Sequence, residues 1–401
     1  MEIIKEELEN LIEKVSDNPL NKKSSHKILY QINHGFQESV LILDEFCKKH
    51  SLLTYSLKRI FFALITIYLA IIVVFWMISF VVKDEVLIAD LSSKFAKMGI
   101  ERGDTRYNKI LENRKEALGV SGPLIYQILN YLKNVTPLFP KTVQTSPILN
   151  DITGNIETTP VVKWFYLGLA LKPTNKPIFT PVSEIFSSGM KISFVVGFIG
   201  TSFGYILGIP LGVYAAIKKD KTADNVINWY SLIMFALPTL VTIKVFYEIS
   251  MGLGSHTSWT TGGLYTRMFP ILAIILLMVP GVAFMTRRYV VDEMNADYTR
   301  FATAKGMGEK YVFFVHVFRN SFIRMVRGMP GAFIFTIFGT SLLIERTWNI
   351  QGMTYFVIGA MGSKDLFTVM GFVVISSFLG IFANLIGDLL LAILDPRVKL
   401  S

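Results

Sequence analysis

Runs of apolar residues decide what this chain can become. A helix crosses the roughly 30 Å of a bilayer core with about 20 apolar residues, at about 1.5 Å of rise each. Six stretches approach or exceed that length: Ile60–Val82, Ile192–Ile217, Val226–Ser250, Met268–Arg288, Gly328–Ile344 and Phe367–Leu394. Composition alone would not have forced this reading, because 52% of the 401 residues are hydrophobic and 17% charged. What matters is that the apolar residues come in runs. Lipid offers the backbone no hydrogen bonds, so runs of this length are helices, and an all-α integral membrane protein is expected.

The formal charge of +10 could suggest a nucleic-acid partner, but the Lys and Arg residues gather at span ends. Lys218, Lys219, Lys221, Arg287, Arg288, Arg300, Lys305, Lys310, Arg319, Arg324, Arg327, Arg397 and Lys399 fall on one side of a six-span arrangement. Arg267, Arg346 and Lys364 fall on the other. With Lys48, Lys49, Lys58 and Arg59 ahead of the first run, the positive-inside rule puts both termini in the cytoplasm of a multi-pass plasma-membrane protein, with no role for nucleic acid. The one cysteine, Cys47, leaves no intramolecular disulfide framework and no multi-cysteine metal site.

Four regions follow in order. Residues 1–50 read as a cytoplasmic helical extension, with Ile4, Leu8, Leu11, Ile12 and Val15 along one side and Asn18-Pro19 breaking it. The first transmembrane helix occupies 60–82. Residues 83–190 form a polar insert of about a hundred residues, too long for a plain connection and extracellular if the first span runs outward. Its middle, 89–151, reads as a mixed small domain or elaborated loop. A five-helix core fills 191–401 and contains a basic cytoplasmic segment, 290–327.

That segment is patterned as helix, elbow, helix. Met294, Tyr298, Phe301 and Lys305 fall at spacings that share a face of a helix over Asp292–Lys305. Gly306 stands where such a helix would end in a left-handed residue. A more apolar second helix is expected over Glu309–Phe322. Exposed anchors on a short helix suit docking into the groove of another protein.

Asp297-Tyr298-Thr299-Arg300-Phe301-Ala302-Thr303-Ala304-Lys305-Gly306-Met307, followed by His316-Val317-Phe318-Arg319-Asn320, resembles the cytoplasmic EAA loop of ABC-importer permeases of the oligopeptide/dipeptide branch. Arg324 stands where that family usually has Pro. Further blocks are similar: Tyr55-x-x-Lys58-Arg59 before the first span, Gly208-Ile-Pro210-Leu-Gly212-Val-Tyr-Ala-Ala at the end of the second, and Ala236-Leu-Pro238-Thr239 in the third. Glu345 and Gly352 match an outer E-x-x-F-x-x-P-G-L, and Asp388 with Asp395-Pro396-Arg397 a terminal D-L…D-P-R. The likeness covers about residues 55–82 and 160–401 and points to the B-type subunit.

The resemblance implies a type I permease fold of six spans. It implies a second permease subunit beside this one, two ATP-binding subunits that would hold ATP and Mg, and an external peptide-binding protein delivering the peptide. Asp297, Tyr298, Arg300, Ala302, Ala304, Lys305, Gly306, Arg319 and Asn320 would form the surface that the ATPase grips. A dipeptide or nickel importer permease of the same family is the nearest alternative.

The residues supply no motor of their own. No G-x-x-x-x-G-K-[ST] loop occurs, and Gly306-Met-Gly-Glu-Lys310 has the wrong spacing and lacks the hydroxyl. An ion-coupled secondary transporter would need broken spans in repeated halves and a midplane ionisable cluster. The intramembrane charges are Lys244 with Glu248, one turn apart in the third span, and Glu345 at the outer end of the fifth. Lys244 and Glu248 read either as a polar pathway lining or as an internal ion pair, and Glu345 as a residue setting the outer mouth. His316, amid aromatic and aliphatic neighbours, reads as a structural histidine.

Overall fold

A computed structural model describes residues 51–81, 84–149, 156–338 and 340–394. Two compact units divide the chain, one of residues 1–61 with 397–401 and one running Phe62–Pro396. Of the first, only 51–61 are described, as the start of a helix; the extension expected over residues 1–50 lies otherwise outside the described residues.

Helix α1 is Ser51–Ser79. The insert follows as α2 (Asp84–Leu87), α3 (Ser92–Met98), α4 (Thr105–Leu118) and α5 (Leu124–Val135), then an antiparallel hairpin of β1 (Lys141–Leu149) and β2 (Ile156–Lys163). The hairpin corrects the all-α expectation: the protein is mostly helical, with a two-stranded sheet in the insert. Its register pairs Lys141 with Lys163 and shifts between Thr145 and Ile148, at Pro147, which has no N–H to give to the ladder.

After the insert come α6 (Val182–Ile217), α7 (Thr222–Ala236), α8 (Thr239–Gly252) and α9 (Leu264–Met294). They are followed by α10 (Asp297–Ala304), a short α-helical piece Glu309–Tyr311 that runs directly into a π-helical segment Val312–Phe318, and α11 (Arg319–Phe338). The last elements are α12 (Thr340–Thr347), α13 (Met353–Ser363) and α14 (Leu366–Leu394). Helix α6 begins at Val182, ahead of the boundary drawn at residue 190.

Among the described residues four helical stretches are long and apolar enough to cross a membrane: Ser56–Ser79, Val182–Ile217, Leu264–Met294 and Leu366–Leu391. The third span expected from sequence is not one straight helix. Leu237-Pro238 breaks it into α7 and α8, which meet at a bend of 103°, so it adds at most one further crossing. Proline has no N–H for the preceding turn and pushes Leu237 to an extended conformation, which ends α7 there. The expected fifth span, Gly328–Ile344, takes in the second half of α11 and runs on into α12; α11 keeps Arg319, Arg324 and Arg327 in its first half and does not meet the same standard.

Helices α6 and α9 pack along a seam of glycines. Gly200, Gly204, Gly208 and Gly212 recur every four residues, and a Cβ on any of them would overlap Ile274, Met278, Val282 or Thr286 of α9. Backbones can approach this closely only where the side chain is absent, the usual device for helix packing in lipid. Pro280 in α9 leaves the Leu276 carbonyl without its helical donor. The Tyr230 hydroxyl of α7 reaches that carbonyl at 3.4 Å, and Ser231 Oγ donates to the Pro280 carbonyl at 3.2 Å.

The insert is not a separate bead on the chain. One buried cluster joins Ile71 and Phe75 of α1, Leu91 and Phe95, Ile110 of α4, Tyr131 and Val135 of α5, Phe186 of α6, Phe356 of α13 and Met370 of α14. Asp365, ahead of α14, accepts hydrogen bonds from the backbone N–H groups of Leu171 and Lys172 at 2.8 and 3.1 Å, tying the end of the insert to the last helix.

Candidate functional site

The basic segment begins with a break that its spacing did not reveal. Helix α9 continues out of its apolar stretch to Met294, Asn295-Ala296 interrupt it, and α10 starts afresh at Asp297. Met294 therefore does not share a helix with Tyr298, Phe301 and Lys305, contrary to the expected single helix over 292–305. Asp297 sits in the first turn of α10, where a negative charge suits the helix dipole. Thr299 is buried and donates through Oγ1 to the Glu293 carbonyl at 2.8 Å, pinning α10 against the end of α9.

Gly306 takes φ +76°, the left-handed residue its position called for. Beyond it, Glu309–Phe322 is helical throughout as expected, with a short α-helical start, the π segment and the first residues of α11 in unbroken succession. The two halves of the motif are joined directly: Asn320 Nδ2 donates to Tyr298 Oη at 3.1 Å and to the His316 carbonyl at 2.9 Å. His316 is half-buried, with its ring edge-on to Tyr311.

Only Thr299 and Ala302 of α10 are buried; Asp297, Tyr298, Arg300, Ala304, Lys305, Gly306 and Arg319 are exposed. Phe301 is 61% exposed and Phe314 62%, with the Lys305 ammonium 4.6 Å from the centre of the Phe301 ring. The elbow thus presents aromatic side chains ringed by cations, held by a core that uses few of its own residues. Such a surface can bind a partner through buried aromatic anchors and an Arg–Lys rim.

Arg324, which stands where the family pattern has Pro, ion-pairs with Glu293 and with Asp292 at 3.6 Å. Its guanidinium lies 5.4 Å from the Tyr289 ring centre. The substitution replaces a helix breaker with a clamp between α11 and the end of α9.

A further pair was not singled out from the sequence. Arg287 Nε and Nη2 donate to Asp224 Oδ1 and Oδ2 at 2.5 and 2.6 Å, a two-pronged bond across 63 residues. Asp224 also accepts from the Asp220 N–H at 2.9 Å and from Asn228 Nδ2 at 2.8 Å. This fixes the basic turn Lys218–Lys221 to the part of α9 that leads into α10. Arg287 had been counted only as an inside-positive charge. Its pairing depends on α7 and α9 lying side by side, which local spacing does not encode.

The other residues singled out scatter. Lys244 and Glu248 form an ion pair at 3.0 Å on α8, more than half exposed in this chain, with the ammonium 4.7 Å from the Tyr247 ring centre. Glu345 is buried on α12. It accepts from Ser193 of α6, from the Thr354 hydroxyl, and from the backbone N–H groups of Thr354 and Tyr355 at 3.0 and 3.3 Å. It therefore caps α13 from a distance, and Gly352 is required because a Cβ there would overlap the Glu345 carboxylate. That geometry gives Glu345 a role in holding three helices together. Gly208 and Gly212 lie on the α6 seam, Pro210 stands between them on the exposed side of the same helix, and Pro238 makes the bend before α8. Asp395, Pro396 and Arg397 lie outside the described residues.

Residues 208–400 match the family described as binding-protein-dependent transport system inner membrane component. The chain is 32% identical over 212 residues to an oligopeptide transport system permease protein, AmiC, of Streptococcus pneumoniae; the match covers 52% of this chain and 42% of that protein. It is 25% identical over 293 residues to a dipeptide transport system permease protein, DppB, of Lactococcus lactis, covering 72% of this chain and 86% of that one. The chain thus spans less than half the length of AmiC. A chain of the inward-facing MetNI methionine ABC transporter is 14% identical at a TM-score of 0.44, covering 53% of this chain and 97% of that one.

Proposed function

We propose, from the premise that residues 208–400 belong to the binding-protein-dependent transport system inner membrane components, that this chain is a transmembrane permease subunit of an ATP-driven oligopeptide importer. It forms half of the translocation pathway in a type I arrangement and pairs with a second permease subunit. ATP and Mg bind to two separate ATPase subunits, and an external binding protein delivers the peptide. Both termini are cytoplasmic, which puts the elbow at 297–320 on the ATPase side. The observation that carries the reading is this elbow, with exposed Phe301 and Arg300 on α10 and the Tyr298–Asn320 bond locking α10 to α11.

The mechanism follows from rigidity. The ATPase grips α10, and the clamps Arg324–Glu293 and Asp224–Arg287 pass its movement to α9 and α7 without slack. ATP favours whichever membrane conformation brings the two elbows to the spacing of the closed ATPase pair. The oligopeptide permease relative supports peptide as cargo, and the dipeptide relative keeps shorter peptides within the same reading.

The test replaces Phe301 with Asp in the full chain, coexpressed with its ATPase. Loss of an aromatic anchor in a protein interface costs about 2 kcal/mol or more, roughly thirtyfold in affinity. Copurification of the ATPase and uptake of a labelled peptide should both fall, while membrane insertion is retained. Uptake at the unsubstituted rate would overturn the assignment.

A further inference from the structure

Helix α5 of the insert packs against α1 at a depth that an external domain should not reach. Its Tyr131 ring lies 5.5 Å from that of Phe75, and just past its end the Thr136 and Tyr68 hydroxyls are 2.7 Å apart. The partners on α5 rise in number as those on α1 fall, so the two helices run antiparallel. Tyr68 stands at the middle of the apolar stretch Ser56–Ser79. Counting down from Ser79, 79 − 68 gives eleven residues, about 16 Å of helix, or roughly half a bilayer core.

Two faces of α5 differ. Gln127 and Asn130 turn back to the insert, donating to the carbonyls of Gly122 and Gly119 at 2.9 and 3.1 Å. Ile125, Leu129 and, past the helix, Leu138 are 72%, 58% and 78% exposed. Apolar side chains so bare on an external domain in water would be anomalous as a group.

The end of α5 is also sealed as lipid requires. Lys141 is buried and its ammonium donates to the carbonyls of Asn134 and Trp164, each at 3.0 Å, and to that of Thr136. It satisfies oxygens that water would otherwise solvate. The one cation of α5, Lys133, is exposed. Helical Cα–Cβ bonds tilt toward the N-terminus, here the outward direction, so its stem carries the charge away from the bilayer centre and toward the headgroups.

We propose that α5 and the turn after it are immersed in the outer leaflet, with Ile125, Leu129 and Leu138 in contact with lipid acyl chains. The insert is then a re-entrant wedge beside α1 rather than a wholly aqueous domain. This rests on α1 crossing the membrane, as the permease reading requires.

The experiment places a nitroxide label on the full chain in phosphatidylethanolamine–phosphatidylglycerol vesicles, with Cys47→Ser and one of Ile125→Cys, Leu129→Cys, Leu138→Cys, Leu69→Cys or Lys109→Cys. Power saturation compares relaxation by oxygen, which concentrates in hydrocarbon, with relaxation by a water-soluble nickel chelate. The expected oxygen-to-nickel ratio rises from position 125 through 129 to 138, approaches that of position 69 on α1, and exceeds that of position 109 on α4. A ratio at 129 and 138 equal to that at 109 would overturn the proposal, since these positions would be in water. Exclusion of both reagents would overturn it too, since protein would then cover the face. If position 69 itself reads as aqueous, the membrane-spanning reading of α1 fails; if only the α5 positions do, the wedge alone fails.

Discussion

The α6–α9 seam and the α10 elbow are built on opposite principles. Along the seam the backbones touch, and every side chain that would intervene has been reduced to hydrogen at Gly200, Gly204, Gly208 and Gly212. At the elbow the side chains are large and turned outward, and internal order rests on a few bonds such as Tyr298–Asn320 and Thr299–Glu293. One region spends its residues on its own stability; the other keeps them for something else. The contrast says how to separate folding from function in this protein.

The largest effect on stability should come from the pair that connects the two regions. Arg287→Ala leaves the buried Asp224 carboxylate without its guanidinium and should lower unfolding stability by about 3 kcal/mol. Thermal unfolding in detergent reads this, and the double change with Asp224→Ala should cost less than Arg287→Ala alone. Gly204→Leu forces side-chain atoms into Met278 and should cost roughly 1–3 kcal/mol by the same assay. An unchanged unfolding temperature would mean that the seam is looser than its geometry.

At the elbow the signs reverse. Phe301→Asp should move stability by less than about 0.5 kcal/mol, because the ring is exposed, while uptake is lost. Comparable losses of stability at Phe301 and Gly204 would erase the distinction.

The smallest effect concerns pH. Burial holds the Asp365 carboxyl above the ordinary carboxylate range, against hydrogen bonds from Lys172, Thr368 and Leu171 that pull it down. The folded protein then holds that proton more readily than the unfolded chain. Stability should therefore fall as pH rises from the ordinary carboxylate value through the raised one, and level off above it. Asp365→Asn should flatten that slope in unfolding curves taken across the range.

Much of this was legible in the chain. The four-residue glycine spacing needs only a helix to become a stripe, and Gly306 needs only a helix end to become its left-handed stop. The partner of the stripe was not legible, nor was the bond from Asn320 back to Tyr298, because both depend on distant elements meeting. The bend at Pro238 was not legible for a physical reason: the residues on either side are apolar, and hydropathy does not register direction. Glu345 read as the rim of a pathway because a carboxylate near a span end suggests one; its bonds to Ser193 and to the start of α13 join distant elements, which local spacing does not encode. The β-hairpin was hidden in a polar stretch where Pro147 and scattered threonines gave no clean alternation.

The π segment Val312–Phe318 lies between the exposed α10 and the clamped α11. Bonds that skip five residues instead of four coil the chain more widely and fit more residues into each circuit. Rewinding those seven residues more tightly would lengthen the segment and rotate whatever follows it about its own axis. The joint therefore carries a reserve of chain that can be let out or taken up without breaking the helix, a kind of screw thread set where a push from outside enters the bundle.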